Sequence, residues 1–390
     1  MLKGTFKAGR LASIPRKILV VLQFSVSVSL IIGTIIVYQQ IQYAKNRPIG
    51  YSRDGLITIG MNTPDLYGHY GTLRSDIMNS GAAINMAESS SPTTAVWSNQ
   101  SGYDWKEKDP HFVPTFGTIA VTHDFGATVG WQFVAGRDFS RNYATDSAAF
   151  IINEAAVKYM GLKNPVGETV KYLNSNRTDK NYHIVGVIKN MVMESPFDPV
   201  KPTMFLMDYE WANVITIKLN PKLSAHEALP KMEAIFKRYN PGSPFEYKFE
   251  DDEYAKKFET ENRISSLATF FAVFAVFISC LGLFGLASFM AEQRTKEIGV
   301  RKVLGASLFN VWRLLSKEFV LLVFISFFIA IPIAWYCMNY WLRNYEYRTT
   351  ISIWVFAITA LAALFITLAT VSFQAVKAAL ANPVKSLRTE

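Results

Sequence analysis

Four stretches of this chain carry apolar side chains without a single charge for about 20 residues or more: 18–37, 267–290, 319–338 and 353–373. A helix of that length crosses the hydrocarbon core of a bilayer, roughly 30 Å at 1.5 Å per residue. Buried helices of a soluble core would show a polar face, and these four show none. The pattern therefore predicts four transmembrane helices. Pro332 is expected to bend the third.

Between the first and second helices, residues 42–262 are polar and punctuated by Gly and Pro, with room for one or two compact lobes. Short β-like runs occur at 56–59, 149–152, 182–188 and 214–219, alternating with helical patterns. Ser224 reads as an N-cap with Glu227 three residues on, and Leu229, Met232, Ile235 and Phe236 follow at helical spacing. The strand before this helix and a second one over 245–249 make a β-α-β unit. The Met- and Pro-rich loop 190–202 is expected to connect lobes. Tyr254, Phe258 and Glu261 predict a helix over 251–262 running unbroken into the second span.

The fold class is thus an α-helical membrane domain of four transmembrane helices, with a large mixed α/β extracytoplasmic domain inserted between helices one and two. The expected order is a cytoplasmic segment (1–17), helix one (18–41), the outer domain (42–262) and helix two (263–290). A cytoplasmic segment (291–318), helix three (319–340), a short external turn (341–350), helix four (351–376) and a cytoplasmic tail (377–390) complete it.

Composition agrees. Half of the 390 residues are hydrophobic and only 18 % are charged, below the quarter usual in soluble domains. That excludes a disordered chain, and two cysteines, Cys280 and Cys337, both inside apolar runs, exclude a disulfide scaffold. The net charge of +9 would suit a nucleic-acid binder or a membrane protein. Its distribution decides. Lys3, Lys7, Arg10, Arg16 and Lys17 precede the first span without an acid, and Arg294, Lys296, Arg301, Lys302, Arg313 and Lys317 lie between spans two and three. Lys377, Lys385 and Arg388 follow span four, whereas the turn after span three has only Arg343 and Arg348. By the positive-inside rule both termini and the 291–318 segment face the cytoplasm, and the insert faces outward. The charge is then a topology signal, and no nucleic-acid partner is expected. The first apolar run is too long for a signal peptide, and Val37-Tyr38-Gln39-Gln40 offers no cleavage site, so that span is read as retained.

The outer domain shows shape without chemistry. His69, His111, His123, His183 and His226 are scattered, with no zinc spacing, and His123-Asp124 reads as a solvated loop pair rather than half of a catalytic one. There is no Gly-x-Ser-x-Gly elbow. Asn99-Gln100-Ser101 and Asn176-Arg177-Thr178 match a glycosylation pattern that matters only in a eukaryotic secretory protein. No metal and no cofactor are expected.

The cytoplasmic segment carries more. Val300, Val303 and Leu304 form a short apolar stripe opposite charges, and Gly305 ends it as a helix C′ glycine would. Leu308, Val311, Trp312 and Leu315 make a second stripe leading into span three. Physically this is an amphipathic helix along the inner membrane face, or an ordinary basic interfacial loop. The run Arg294-Thr295-Lys296-Glu297-Ile298-Gly299, followed by Leu304-Gly305-Ala306-Ser307, resembles the cytoplasmic signature of the FtsX-like/MacB-type permease family. Cys280-Leu281-Gly282-Leu283-Phe284-Gly285-Leu286 resembles the end of that family's second span, and Asn382-Pro383-Val384-Lys385-Ser386-Leu387-Arg388 its C-terminal end. Ile151-Ile152-Asn153-Glu154 and Val185-Gly186-Val187-Ile188-Lys189 resemble its outer domain.

The resemblance covers nearly the whole chain, with 263–385 as the FtsX-like permease domain. It implies a non-catalytic permease subunit of an ABC-type transporter in the bacterial inner membrane, working by mechanotransmission with a separate cytoplasmic ATPase. The chain has no Gly-x-x-x-x-Gly-Lys-Ser/Thr loop of its own, so ATP would be bound by the partner. Glu292, Arg294, Glu297, Arg301 and Lys302 would meet the ATPase, with Gly299, Gly305 and Ala306 permitting close approach and the turn. Ser279, Gly282 and Gly285 would let another helix approach, either a dimer partner or one of the chain's own spans.

Further expected partners are a second permease half, identical or related, a periplasmic adaptor and the lipid bilayer. The family often carries two four-span units in tandem, and this chain shows one; the start at Leu2-Lys3-Gly4 resembles the joint between units. The expected cargo is an amphiphile, peptide, lipoprotein or drug. The competing function is a signalling or structural protein that controls a cell-wall hydrolase, as in the cell-division branch of the family. A membrane-tethered enzyme lacks a site.

Overall fold

The computed structural model describes residues 14–173 and 180–380, apart from the side chains of residues 296, 302, 303, 308, 311 and 378–380. The basic stretch through Arg10, the Asn176-Arg177-Thr178 triplet and the motif at 382–388 therefore lie outside the described residues. Helix α1 (Ile14–Lys45) leads to β1 (Leu56–Gly60), α2 (Tyr70–Asn79), β2 (Ala83–Ser89), β3 (Asn99–Gln100), β4 (Tyr103–Trp105) and β5 (Phe116–Val121). Then come α3 (Phe125–Val129), β6 (Phe133–Gly136), β7 (Ala149–Asn153), α4 (Glu154–Met160), β8 (Thr169–Tyr172), β9 (Lys180–Ile188) and β10 (Thr203–Met207). The chain finishes with β11 (Val214–Leu219), α5 (Ala225–Tyr239), β12 (Lys248–Phe249), α6 (Glu250–Lys256), α7 (Glu259–Gln293), α8 (Thr295–Val303), α9 (Leu308–Leu342) and α10 (Ile353–Leu380). Two compact units result: Lys45–Glu259, and the helices flanking it in sequence.

In the helical unit, α1, α7, α9 and α10 are long and apolar enough to cross a membrane. Val20, Phe24, Val28, Ile32 and Ile36 recur every four residues on α1 and are buried against Leu283 and Leu286 of α7, Phe319 and Val323 of α9, and Ala363 of α10. Apolar side chains also cover the outside: Phe270, Phe274 and Phe277 of α7 and Phe328 of α9 are exposed. A surface of this kind is stable only in lipid, where close packing and hydrogen bonds hold helices together in place of the hydrophobic effect. Those bonds are present. Ser27 and Ser279 share one at 2.8 Å, and Ser326 donates to the Val21 carbonyl at 3.1 Å. At the opposite end of α1 the buried Gln40 donates to the Tyr347 carbonyl and accepts from the Thr349 amide, both at 2.8 Å. Helix α9 runs through Pro332 unbroken.

The Lys45–Glu259 unit is built on one twelve-stranded mixed sheet, with the order β12-β1-β11-β2-β5-β10-β7-β9-β8-β4 and β3 and β6 paired at β5 and β9. Strands stand at the four runs expected over 56–59, 149–152, 182–188 and 214–219, and the fifth, expected over 245–249, is reduced to Lys248–Phe249. The capping box at Ser224–Glu227 is formed, and Met232, Ile235 and Phe236 of α5 are buried against the sheet together with α2. The β-α-β unit exists in split form. β1 lies between β11 and β12 and is antiparallel to both, so β1-α2-β2 and β11-α5-β12 interleave as in ferredoxin-like folds.

Two local expectations are corrected. Loop 190–202 links strands of one sheet rather than two lobes, because Met191 and Met193 are buried in the core beside Tyr51 and Phe205. The helix over 251–262 is broken: α6 ends at Lys256 and α7 starts at Glu259. The break is tertiary in origin. Phe258 is 2 % exposed and stacks edge-on with Phe197, while the Lys257 ammonium donates to the Thr94, Met193 and Glu194 carbonyls at 2.5–2.7 Å. Burial lowers the Lys257 ammonium to about 8.

Candidate functional site

The segment joining spans two and three is a hinge, a short helix and a cap. Helix α7 ends at Gln293 and α8 begins at Thr295, with Arg294 at the corner. Thr295 holds the turn by donating to the Ala291 and Glu292 carbonyls. At the other end Gly305 takes φ +85°, and the Ala306 amide closes a 2.9 Å bond to the Arg301 carbonyl. That long-range closure with a left-handed glycine is the Schellman stop, as the sequence predicted. Ser307 then caps α9 by accepting from the Asn310 amide.

The predicted residues separate into two groups. Glu292, Glu297 and Arg301 are exposed, and Glu297 pairs with Arg301 one turn on at 2.7 Å. Gly299 is buried, Ala306 is half-buried, and the Lys302 side chain lies outside the described residues. Arg294 turns inward to Glu318 of α9.

The apolar stripe faces otherwise than expected. Ile298 is the buried anchor, packed with Leu315 of α9 and Ala375 of α10, whereas Val300 is 49 % and Leu304 80 % exposed. Ile298 is two residues from Val300, about 200° around a helix, so the two cannot share a face. Helix α8 therefore presents a mixed surface, Val300 and Leu304 with Glu297 and Arg301, and is fixed from beneath by Ile298.

Sequence reasoning missed Glu318 as a site residue. Its carboxylate accepts from Lys17 of α1 at 2.8 Å and from Arg294, so one acid ties the start of span one, the α7–α8 corner and the start of span three. Arg16 adds to this joint, its guanidinium 4.0 Å above the Phe289 ring. The signal was an acid bordering an apolar run in a basic neighbourhood, which charge counting absorbed into topology. Replacing Glu318 by alanine is expected to lower stability by about 1–2 kcal/mol, between exposed and buried ion pairs. Thermal unfolding of the purified chain in detergent measures it, and an unchanged midpoint would show that the clasp contributes nothing.

Two of the three helix-packing residues meet the chain's own first span. Ser279 is 2 % exposed and bonded to Ser27, and a Cβ on Gly282 would meet the Gln23 amide oxygen of α1 at 2.5 Å. Gly285 has open space beside it.

In the outer unit, His123 and Asp124 do not face one another. His123 shares a 2.6 Å bond with the Tyr209 hydroxyl, while Asp124 accepts from Tyr70 at 2.6 Å and from Arg141 at 2.5 and 3.1 Å. Burial works to raise the Asp124 carboxyl, but Arg141, Tyr70 and Arg74 outweigh it and hold it below the usual range. This is a cross-brace between α2, α3 and the chain after β6. Among the described residues no group of three His, Cys, Asp or Glu side chains could hold a metal.

The FtsX-like permease C-terminal family matches residues 269–383, and the MacB-like periplasmic core domain matches residues 18–235. The chain belongs to this family of MacB/FtsX-like ABC-type permeases and is a multi-pass membrane protein, of a class that works with an ATPase partner. No curated protein matches it. Among solved structures, the periplasmic region of MacB from Actinobacillus actinomycetemcomitans is 13 % identical, with 54 % of this chain and 94 % of that one covered and a TM-score of 0.37. A domain described as that of a permease protein from Porphyromonas gingivalis is 14 % identical, covering 50 % and 89 %, with a TM-score of 0.35. The extracellular domain of the noncanonic ABC-type transporter YknZ from Gram-positive bacteria is 12 % identical, covering 50 % and 97 %, with a TM-score of 0.32.

Proposed function

We propose that this permease transmits force. A separate cytoplasmic ATPase docks on α8, and the motion it imposes passes through the spans to the outer domain, which exports or releases an amphiphile, peptide, lipoprotein or drug. One observation carries the reading: a short capped helix with an exposed face of mixed apolar and charged side chains, anchored by Ile298 and by the Arg294–Glu318–Lys17 clasp. An exposed face gives a partner something to grip, and a clasp reaching span one gives the grip somewhere to go. Paired charges at such a rim set register and specificity more than affinity.

The membrane is the bacterial inner membrane, with both termini and α8 cytoplasmic. A second permease half, identical or related, completes the unit, and a periplasmic adaptor is a further partner. Reporter fusions at Gly305 are expected to be active only as cytoplasmic reporters, and fusions at Gly242 only as external ones. Affinity capture of the full chain is expected to bring an ABC ATPase with it. A fusion at Gly305 that reports from outside would end the proposal.

A further inference from the structure

The Lys45–Glu259 unit contains a cleft of about 860 Å³ where its sheet comes apart. Strand β12 meets β1 at only two positions, Ile57 with Phe249 and Thr58 with Lys248. Upstream of Lys248 the chain leaves β1, and Phe245 packs instead on Phe236 of α5, with ring centroids 5.1 Å apart.

The far side of β1 is fully paired. The Met61 amide bonds the Asn213 carbonyl at 2.8 Å and the Leu219 amide bonds the Gly55 carbonyl at 2.8 Å, which fixes the odd-numbered residues of β1 as those bonded to β11. In an antiparallel ladder the alternate residues, Thr58 and Gly60, then turn their backbone groups to the other edge. Lys248 meets Thr58 there. On that edge no strand among the described residues lies opposite Gly60, which is exposed at the cleft.

We propose that this cleft binds an extended peptide segment of the cargo as an added strand on β1. The backbone of such a segment pairs with Gly60, and its alternate apolar side chains rest on Trp97, 58 % exposed, and Tyr247, 37 % exposed, which flank the opening. The volume lies in the range of ligand pockets, about 300–1,000 Å³. Lining carboxylates and ammonium groups balance in number, which disfavours a polyanion or a polycation. A free edge with unmet N–H and C=O groups asks for a partner carrying a backbone of its own, which a lipid or a drug does not supply.

That the peptide is cargo rests on the transport reading above. Its binding is measured on the full-length permease alone, in detergent without any ATPase, so failure overturns the cleft and leaves coupling untouched. The probe is a dye-labelled hexapeptide of alternating leucine and serine, followed by fluorescence anisotropy. A second version carries N-methyl groups on alternate residues, and both registers are made. Saturable binding is expected, weakened about tenfold or more by N-methylation in one register, by Trp97→Ala and by Gly60→Pro. Trp97 is at the surface, so its variant tests the site even if Gly60→Pro disturbs the strand. No saturable binding up to millimolar peptide, equal binding of methylated and unmethylated probes, or indifference to Trp97→Ala would each overturn the proposal.

Discussion

Replacing Gly305 by valine is expected to lower transport-coupled ATP hydrolysis about tenfold while the permease still inserts in the membrane. The reason lies in the backbone, not in space. Nothing lies within 4 Å of where a Cβ would stand, but φ is +85°. An L residue held in the left-handed region costs roughly 1–2 kcal/mol, and a β-branched one more. About 1.4 kcal/mol is a factor of ten. The strained cap relaxes by unwinding the Ala306–Arg301 closure, and the exposed face of α8 loses its orientation. Asparagine tolerates this conformation, so Gly305→Asn is expected to stay near the parent. Glu297→Lys probes the same surface by charge: the exposed i,i+4 pair with Arg301 is worth only a few tenths of a kcal/mol to the fold. A large loss of coupling there would report on the partner's surface. Unchanged cargo-stimulated hydrolysis and transport in both Gly305→Val and Glu297→Lys would remove α8 as the docking element.

The outer unit is expected to lose stability as pH rises from 5 to 8, and Glu88→Gln is expected to abolish most of that loss. Glu88 is 3 % exposed on β2, on the face shared with Met86 and opposite Ile215, and its Oε1 has no hydrogen-bond partner. Burial pushes its carboxyl from 4.5 up to about 7. Below the lower value the group is neutral in the folded and the unfolded chain alike. Between the two values the unfolded chain ionises and the folded one resists, so stability falls. Above about 7 the full penalty applies, about 3 kcal/mol for this shift. The glutamine variant should therefore match the parent only below about pH 4 and exceed it near pH 8, read by near-ultraviolet circular dichroism during thermal unfolding. Parallel pH profiles for the two proteins would show that Glu88 is not the source.

Both expectations draw on features of different visibility. Gly305 was legible because a glycine that ends an apolar helical stripe has few other uses, and the Ser224–Glu227 box for the same local reason. Glu88 was not: in sequence it is one polar residue on a strand, and only its neighbours in the sheet show that it is buried. The broken helix at Lys257 and Phe258 tells the same story. Its periodicity favours continuity, but an ammonium seated on three carbonyls and a phenylalanine wedged beside Phe197 win. Ile298 was passed over for Val300 and Leu304, since local amphipathicity cannot say which of two apolar faces the rest of the protein will cover.

The amino-acid order alone determined the number of spanning helices, the position of the mixed α/β insert, the family signature and the stop at Gly305. Each of these is a property of a short window, in which length, periodicity or one backbone conformation leaves no alternative. The tertiary structure decided that Glu318 gathers Lys17 and Arg294, that β1 slips between β11 and β12, and that one edge of β1 is left open beside Gly60. Those depend on residues tens to hundreds of positions apart, whose meeting is fixed by packing that no local pattern encodes.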